Sequence, residues 1–594
     1  MTQKVLLTGN QAVARGFWEA GGVIAASYPG SPTVEILDSL KQYKEIHSKW
    51  STNEKVALEI AIGGSFAGAR SMVSMKHVGV NIASDPFMTF TQVKTKGGFL
   101  LVVGDDPGLS SSQNEQDTRF FSKFANCVVL EPADPQEAKD MVKDGLEISE
   151  KYHTPVILRL TSRLCHSRGL VELKDPVIKD IEGFVEDQAR YCMLPPYANE
   201  QQYFMKERIE AVKEYSPQYH LNQYHQRKSD TLVITAGFCY SMLLELNPNI
   251  SIFKLGMVYP LPIDKIKEIS KKYKKVIVME ELLGFIEETL KLDNIEVIGK
   301  DIFPFTGEFT TDSIREGLEK AGVFLENSKK TGENIQVPNR TPMLCSGCPH
   351  RPIFHILKKA KALVVGDIGC YSLGILEPFE VLKTNISMGA SLGIIQGMAL
   401  AHKEANKVKP LVATIGDGTF FHSGLSGFVD IAETKENITI IVLDNRTTAM
   451  TGGQSTPTTA EFTKEESYTL SIASILKSFG IEDIQEVDQF DYKNARKVIR
   501  EAMKKQGLSV IIATRPCALN FKIKEPYFYV DENICISCRS CIGVNCPPIS
   551  MKHYGDKDKK NSYIDSTMCV GCSACSQVCP VNAIKRSPRE KEGK

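Results

Sequence analysis

A chain of 594 residues is too long for one hydrophobic core, and at roughly 100 to 200 residues per domain it reads as about three to five domains. With 42% apolar and 24% charged residues, every domain can bury a core, and no large part has the composition of a disordered chain. The 71 Lys+Arg balance 71 Asp+Glu, which removes the basic excess of a nucleic-acid or anionic-membrane binder and leaves small molecules or proteins as the expected partners.

Met1 to Asn10 carries one lysine and a short apolar stretch at Val5, Leu6 and Leu7, too little for the core of a secretory signal. No apolar run approaches the roughly 18 residues that span a bilayer. A cytoplasmic protein is expected, and there the 16 cysteines are metal or redox ligands sooner than disulfides. Strand and helix patterns alternate along most of the chain, which predicts an α/β protein of parallel sheets covered by helices. Residues 1–185 are the first α/β unit, with short strands at Gly22–Ser27, Phe99–Val103 and Pro155–Leu158. Residues 186–228, with Pro195-Pro196 and Arg227-Lys228, lack a clear period and are expected to connect. A smaller α/β unit at 229–335 has strands at Thr231–Thr235 and Lys275–Met279 and ends near the polar run Asn327–Asn334. The third α/β unit spans 336–525. Residues 526–594 are rich in Cys and Pro with few apolar runs, so this small C-terminal module needs something other than a core to hold it.

That something is visible in Cys535-x2-Cys538-x2-Cys541-x4-Cys546-Pro547 and Cys569-x2-Cys572-x2-Cys575-x3-Cys579-Pro580. Closely spaced thiolates on one loop suit a cuboidal cluster, and the fourth cysteine of each run usually serves the other cluster. Cys535, Cys538, Cys541 and Cys579 are therefore assigned to one 4Fe-4S cluster, and Cys569, Cys572, Cys575 and Cys546 to a second. The extra residue before Cys546 is expected to form a bulge. Paired zinc sites are the alternative, but zinc ribbons lack the third regularly spaced cysteine. The module resembles the two-cluster, ferredoxin-like α+β proteins, which implies one-electron transfer.

Gly416-Asp417-Gly418 closes the predicted strand Leu411–Ile415, and Asn445 ends a second, Ile438–Leu443. Glycines let backbone N–H groups approach a diphosphate, while an Asp, an Asn and a nearby carbonyl supply the hard oxygens Mg2+ requires. Ligand groups at the carboxyl ends of two parallel strands lie where α/β sheets bind their ligands. A tight turn with an Asp helix cap is the alternative.

This spacing, with Thr447 after it, looks like the thiamine diphosphate motif. The chain as a whole resembles the large (alpha) subunits of the indolepyruvate ferredoxin oxidoreductases, within the thiamine-dependent 2-oxoacid:ferredoxin oxidoreductases. The residues that carry the resemblance are Tyr28-Pro-Gly-Ser-Pro32, Cys345-Ser-Gly-Cys-Pro-His-Arg351, Gly366-Asp-Ile-Gly-Cys-Tyr371, Gly416-Asp-Gly418, Arg515-Pro-Cys517 and the terminal cysteine runs. It implies a pyrimidine-binding first unit, a transketolase C-terminal-like second, a diphosphate-binding third and a ferredoxin tail. It also implies that Cys345, Cys348, Cys370 and Cys517 hold a third 4Fe-4S cluster near thiamine, with a tetrathiolate zinc site left open. Cys127, Cys165, Cys192 and Cys239 are single and are expected to be core or surface thiols.

Decarboxylating a 2-oxoacid leaves a carbanion that side chains cannot stabilise and thiazolium can. A carboxylate must then hydrogen-bond the cofactor's aminopyrimidine, an acid–base task for which Glu54 aligns with the family's activating glutamate. A Glu favoured by a helix dipole is the alternative. For the substrate carboxylate, a planar cation is favoured, and Arg119 matches the family's region; Ser31 is a second candidate, or simply a turn residue. Gly369 and His350 complete the cofactor-binding set, with His350 and Arg351 assigned to the diphosphate, to the cluster, or to a surface pair. The resemblance further implies coenzyme A as acyl acceptor, an aryl 2-oxoacid substrate, ferredoxin as electron acceptor, and a small beta subunit in a heterotetramer of two of each. Branched-chain, aliphatic or phenyl 2-oxoacids would suit the same motifs. An electron-transfer subunit with a degenerate thiamine site is the reading from a different class.

Overall fold

The computed structural model describes residues 3–588 except 196, 324, 326–337, 339–340, 405–408, 460–468 and 554–559. Pro196, the polar run Asn327–Asn334 and the expected boundary at 335/336 lie outside the described residues. The chain forms two compact units, Met1–Gln336 and Val337–Lys594.

The first unit is built on a seven-stranded sheet in the spatial order Met257–Tyr259, Val128–Leu130, Val156–Thr161, Phe99–Asp105, Ser71–Lys76, Ile24–Ser27 and His47–Trp50. Its pairings are parallel except at the Met257–Tyr259 edge. Phe99–Asp105 is buried along its whole length. Leu100 and Val102 enter one core, Leu101 and Val103 the other, as the two-residue pleat of a sheet covered on both faces requires. A four-stranded sheet of Lys275–Met279, Thr231–Ala236, Ser251–Leu255 and Gln223–His225 stands beside it. The chain crosses between the two sheets at Gly256, where a Cβ would meet the Leu221 side chain at 2.7 Å. Asn222 Oδ1 holds the crossing by accepting from Gly256 N at 2.8 Å and Met257 N at 3.0 Å. Within 186–228, read above as connecting chain, lies the helix Tyr197–Tyr215. Its buried residues are Gln201, Arg208, Ile209 and Val212, and with two polar residues among the four the apolar period is hidden.

The second unit carries a six-stranded parallel sheet ordered Leu382–Thr384, Leu363–Val365, Leu411–Gly416, Ile438–Asp444, Leu508–Thr514, Ile484–Asp488. Its C-terminal module is two antiparallel pairs, Phe528–Val530 with Ile584–Arg586 and Ile549–His553 with Lys560–Ile564. Its apolar cluster of buried residues is small, Phe528, Cys541, Ile564, Cys575 and Ile584, two of them cysteines, so apolar packing alone is a weak support. Among the described residues no helix is long and apolar enough to cross a membrane.

Candidate active site

Gly416 ends its strand and Asp417 opens the next turn. The Gly416 amide donates to the Tyr371 hydroxyl (3.0 Å), which donates to Ile368 O (2.9 Å). The Tyr371 ring lies so close that a Cβ at position 416 would sit 2.8 Å from it, so packing requires the glycine. Asp417 is buried, and its Oδ2 accepts from Thr456 Oγ1 (3.0 Å) and Thr458 Oγ1 (3.4 Å). Burial, and then repulsion from buried Asp444, raise its pKa, while hydrogen bonds from Thr456 and the Gly418 amide oppose the rise. Arg446 turns the chain in the left-handed region (φ 63) between Asn445 and Thr447. With its amide nitrogen inward, Asn445 donates to Asp417 Oδ1 (3.1 Å) and Thr447 O (2.8 Å). With its amide oxygen inward, three oxygens converge with no proton between them, an arrangement that a cation stabilises. An Asp, an amide and a carbonyl, next to a second buried carboxylate, fit a hard divalent ion. Thr447 faces this point with its carbonyl; its hydroxyl donates to Gln454 O (3.0 Å) instead.

Asp367 braces the same end of the sheet, accepting from the amides of Ile368 (2.7 Å), Gly389 (3.0 Å) and Ser391 (3.1 Å). The Gly369 amide donates to Ser372 Oγ (3.1 Å). His350 and Arg351 are each 1% exposed, so they do not form a surface pair. The His350 ring stands edge-on to Tyr371 with centroids 6.0 Å apart, and burial pushes its imidazole down to about 4, which keeps it neutral near pH 7.

The eight C-terminal cysteines line two cavities. Cys535, Cys538, Cys541 and Cys579 line one, and Cys546, Cys569, Cys572 and Cys575 line the other. Each cavity thus takes three cysteines from one run and the fourth of the other. The extra residue before Cys546 is absorbed by a 3-10 turn at Ile542–Val544, closed by Asn545 in the left-handed region (φ 52), where Asn is tolerated. Among the described residues no three His, Cys, Asp or Glu side chains are arranged to hold a single metal ion. Cys345, Cys348, Cys370 and Cys517 share one electrostatic neighbourhood: burial pushes Cys370 up to about 11, with Cys517 and Cys345 adding to the rise, and burial raises Cys348, opposed by a His350 backbone hydrogen bond and the Arg351 charge and reinforced by Cys370 and Cys345. The Cys517 amide donates to Asn445 O (3.0 Å), which ties this group to the Asp417 site. Cys127, Cys165 and Cys239 are buried and Cys192 is exposed.

In the first unit, Glu54 opens the helix Glu54–Phe66, capped by Asn53 Oδ1 accepting from Val56 N (2.9 Å). Glu54 is buried, and the helix His77–Ile82 crosses so closely that a Cβ at Gly79 would lie 2.6 Å from Glu54 Cγ. Ser31 is half-buried, and its neighbour Gly30 packs on Lys76, whose Cβ is 3.2 Å from where a Gly30 Cβ would be. Lys76 is a buried cation whose amine donates to Ser111 O (2.5 Å) and Ser111 Oγ (3.2 Å).

Arg119, assigned from the sequence to the substrate carboxylate, is 1% exposed and spends its donors inside the protein. Nε and Nη2 grip Asp117 at 2.8 and 2.5 Å, and Nη1 reaches Glu280 at 2.7 Å. Nη2 also serves the carbonyls of Glu281 (3.0 Å) and Leu283 (3.2 Å). Its role is structural, because no free donor edge faces outward. Arg119→Met is expected to cost about 3–5 kcal/mol in chemical denaturation, since it removes the cation bonded to both buried carboxylates and leaves Asp117 only the more distant Arg159 Nε at 3.9 Å. The sequence reading missed Lys76, Asp367 and Thr456. A Thr-rich stretch after Gly452-Gly453 was the only local sign of Thr456, and nothing in its spacing pointed to Asp417.

Three family models match the chain: pyruvate flavodoxin/ferredoxin oxidoreductase, thiamine diphosphate-binding, over 15–232; the C-terminal thiamine pyrophosphate-binding domain of thiamine pyrophosphate enzymes over 367–513; and a 4Fe-4S binding domain over 562–585. The chain is 38% identical to an indolepyruvate oxidoreductase subunit IorA from Pyrococcus horikoshii and 37% to one from Thermococcus kodakarensis, in both cases over 98% of this chain and 97% of the relative. A solved 2-oxoglutarate:ferredoxin oxidoreductase from Magnetococcus marinus covers 54% of this chain and 65% of its own at 18% identity, with a TM-score of 0.46, below the level at which a shared fold can be argued.

Proposed function

The chain belongs to the family of indolepyruvate oxidoreductase IorA subunits, and from that membership we propose that it oxidatively decarboxylates an aryl 2-oxoacid of the indolepyruvate type. It is a subunit of a 2-oxoacid:ferredoxin oxidoreductase that uses thiamine diphosphate and iron–sulfur chemistry. The proposed reaction converts a 2-oxoacid and coenzyme A to an acyl-CoA, CO2 and a proton, and its two electrons go one at a time to two ferredoxins. Atoms and charge balance without another reactant. A small second subunit completes the enzyme.

Bound thiamine diphosphate supplies the electron sink that lets the carbon–carboxylate bond break. Asp417 Oδ1, the Asn445 amide oxygen and Thr447 O would hold the diphosphate's Mg2+, and Gly416 and Gly418 would keep the turn open to the cofactor. Glu54 accepts and returns a proton at the aminopyrimidine ring. The C-terminal cysteines would hold two 4Fe-4S clusters and Cys345, Cys348, Cys370 and Cys517 a third, which would supply one-electron carriers to the reaction.

The observation that carries this reading is the convergence of Asp417, Asn445 and Thr447 O at the ends of two paired strands, with Cys517 hydrogen-bonded to the middle residue. The test is anaerobic co-expression with the small subunit, followed by viologen reduction with indolepyruvate, phenylpyruvate, branched-chain and aliphatic 2-oxoacids. Reduction should require thiamine diphosphate and coenzyme A, with kcat/KM for indolepyruvate at least about tenfold above that for pyruvate. Preference for a branched-chain or aliphatic acid would overturn the aryl assignment. No reduction with any of them would return the chain to an electron-transfer role.

A further inference from the structure

Arg351 is a buried cation that the proposed reaction leaves without a task. It lies in the helix His350–Ala360 that follows the Cys345–Cys348 loop. Its Nε donates to Cys345 O at 2.9 Å. Its Nη1 and Nη2 are buried and have no hydrogen-bond partner. Among the described residues no carboxylate pairs with it in the way Asp117 and Glu280 pair with Arg119. A guanidinium sealed from water with two idle nitrogens is costly, so the site needs an anion.

The geometry says where that anion sits. Arg351 lines the cavity of Cys546, Cys569, Cys572 and Cys575, together with Gly347 and Cys348. Burial works against its charge, and the groups that favour the charge are Cys546, Cys348, Cys345 and Cys572, in that order. It therefore stands between two sets of thiols, hydrogen-bonded to the loop of one and lining the cavity of the other.

We propose that Arg351 is a redox-positioning residue, a fixed positive charge that raises the reduction potential of the cluster in the Cys546, Cys569, Cys572 and Cys575 cavity and so makes it the acceptor for electrons leaving the Cys345–Cys348 side. This rests on the cluster assignment above. Each transfer adds one electron, and hence one negative charge, to a cluster that its four thiolates already make anionic. A cation held in low dielectric favours that more negative form, and N–H donors to cluster sulfur act in the same direction. The electrons come from the 2-oxoacid and leave to ferredoxin, so no further oxidant or reductant is involved. Unlike Arg119, whose charge is cancelled by carboxylates, Arg351 keeps its charge available to a neighbour that changes charge.

The test uses the assembled two-subunit enzyme, purified anaerobically as wild type, Arg351→Leu, Arg351→Gln and Arg351→Lys. Iron and sulfide are counted and the clusters titrated by electron paramagnetic resonance at set potentials. Cys572→Ser, which alters the signal of the cluster it ligates, identifies the relevant one. In Arg351→Leu and Arg351→Gln, with iron retained, the reduced-to-oxidised ratio of that cluster at the wild-type midpoint should fall at least tenfold, a 59 mV shift for one electron. Arg351→Lys should shift it less, and the signal of the Cys535, Cys538, Cys541 and Cys579 set should not move. Either neutral variant with full iron and an unmoved midpoint overturns the proposal; if Arg351→Leu does not fold, Arg351→Gln decides by the same criterion. Loss of that cluster in all three variants also overturns it, by making Arg351 a structural residue. Wild-type enzyme without iron and sulfide would instead refute the cluster assignment itself, whatever Arg351 does.

Discussion

Asp417→Ala is expected to abolish turnover by releasing the cofactor, with the affinity for thiamine diphosphate in the presence of Mg2+ falling at least about 100-fold. Losing a partner that merely supports a metal ligand costs up to about that much, and Asp417 is proposed as a ligand itself. It supplies the one full negative charge among the three converging oxygens, since Asn445 and Thr447 offer an amide and a carbonyl. The fold should tolerate the change better than the site does. Thr456 and Thr458 lose an acceptor, but they also bond each other at 2.8 Å, and removing Asp417 relieves its repulsion with Asp444. Binding is read by calorimetry and folding by thermal denaturation. Chelation of Mg2+ from the wild type should reproduce the loss and added Mg2+ should reverse it. Full retention of thiamine diphosphate by Asp417→Ala, or by chelated wild type, would remove the cation bridge from the mechanism.

Glu54→Gln should lower kcat by roughly 10²–10⁴-fold, the range of a lost general acid–base group, and leave thiamine diphosphate affinity within about threefold of wild type. Glutamine keeps the shape that packs against Gly79 and the position at the helix start, so the crossing of His77–Ile82 should survive. What changes is the capacity to take a proton. Loss of the favourable charge at a helix N-terminus should cost about 0.3–1 kcal/mol in stability. Stopped-flow viologen reduction on enzyme saturated with cofactor separates the two effects. An unchanged kcat would assign Glu54 to the cap of its helix, and a large loss of cofactor affinity with normal kcat would assign it to binding.

The two carboxylates were accessible to sequence reading for different reasons. Asp417 sits in a motif whose parts are adjacent in the chain, between a strand and its turn, and Asn445 follows the next strand in the sheet, so spacing carries their relation. Glu54 has no such local signature, and only the family resemblance lifted it above any other glutamate that starts a helix. Its close contact with Gly79 required the fold.

The amino-acid order by itself determined the parallel α/β architecture, the placement of Asp417 and Asn445 at neighbouring strand ends, and a cysteine pattern that the folded module gathers round two cavities. These follow from periodicity and short-range spacing, which a chain shows before it folds. Tertiary structure alone decided which charges are already spent. Arg119 meets Glu280 across 161 positions, Thr456 reaches Asp417 across 39, and Arg351 is sealed among thiols rather than exposed beside His350. Whether a cation can serve a ligand depends on the partners that packing brings to it, and those partners lie too far along the chain for any local pattern to name.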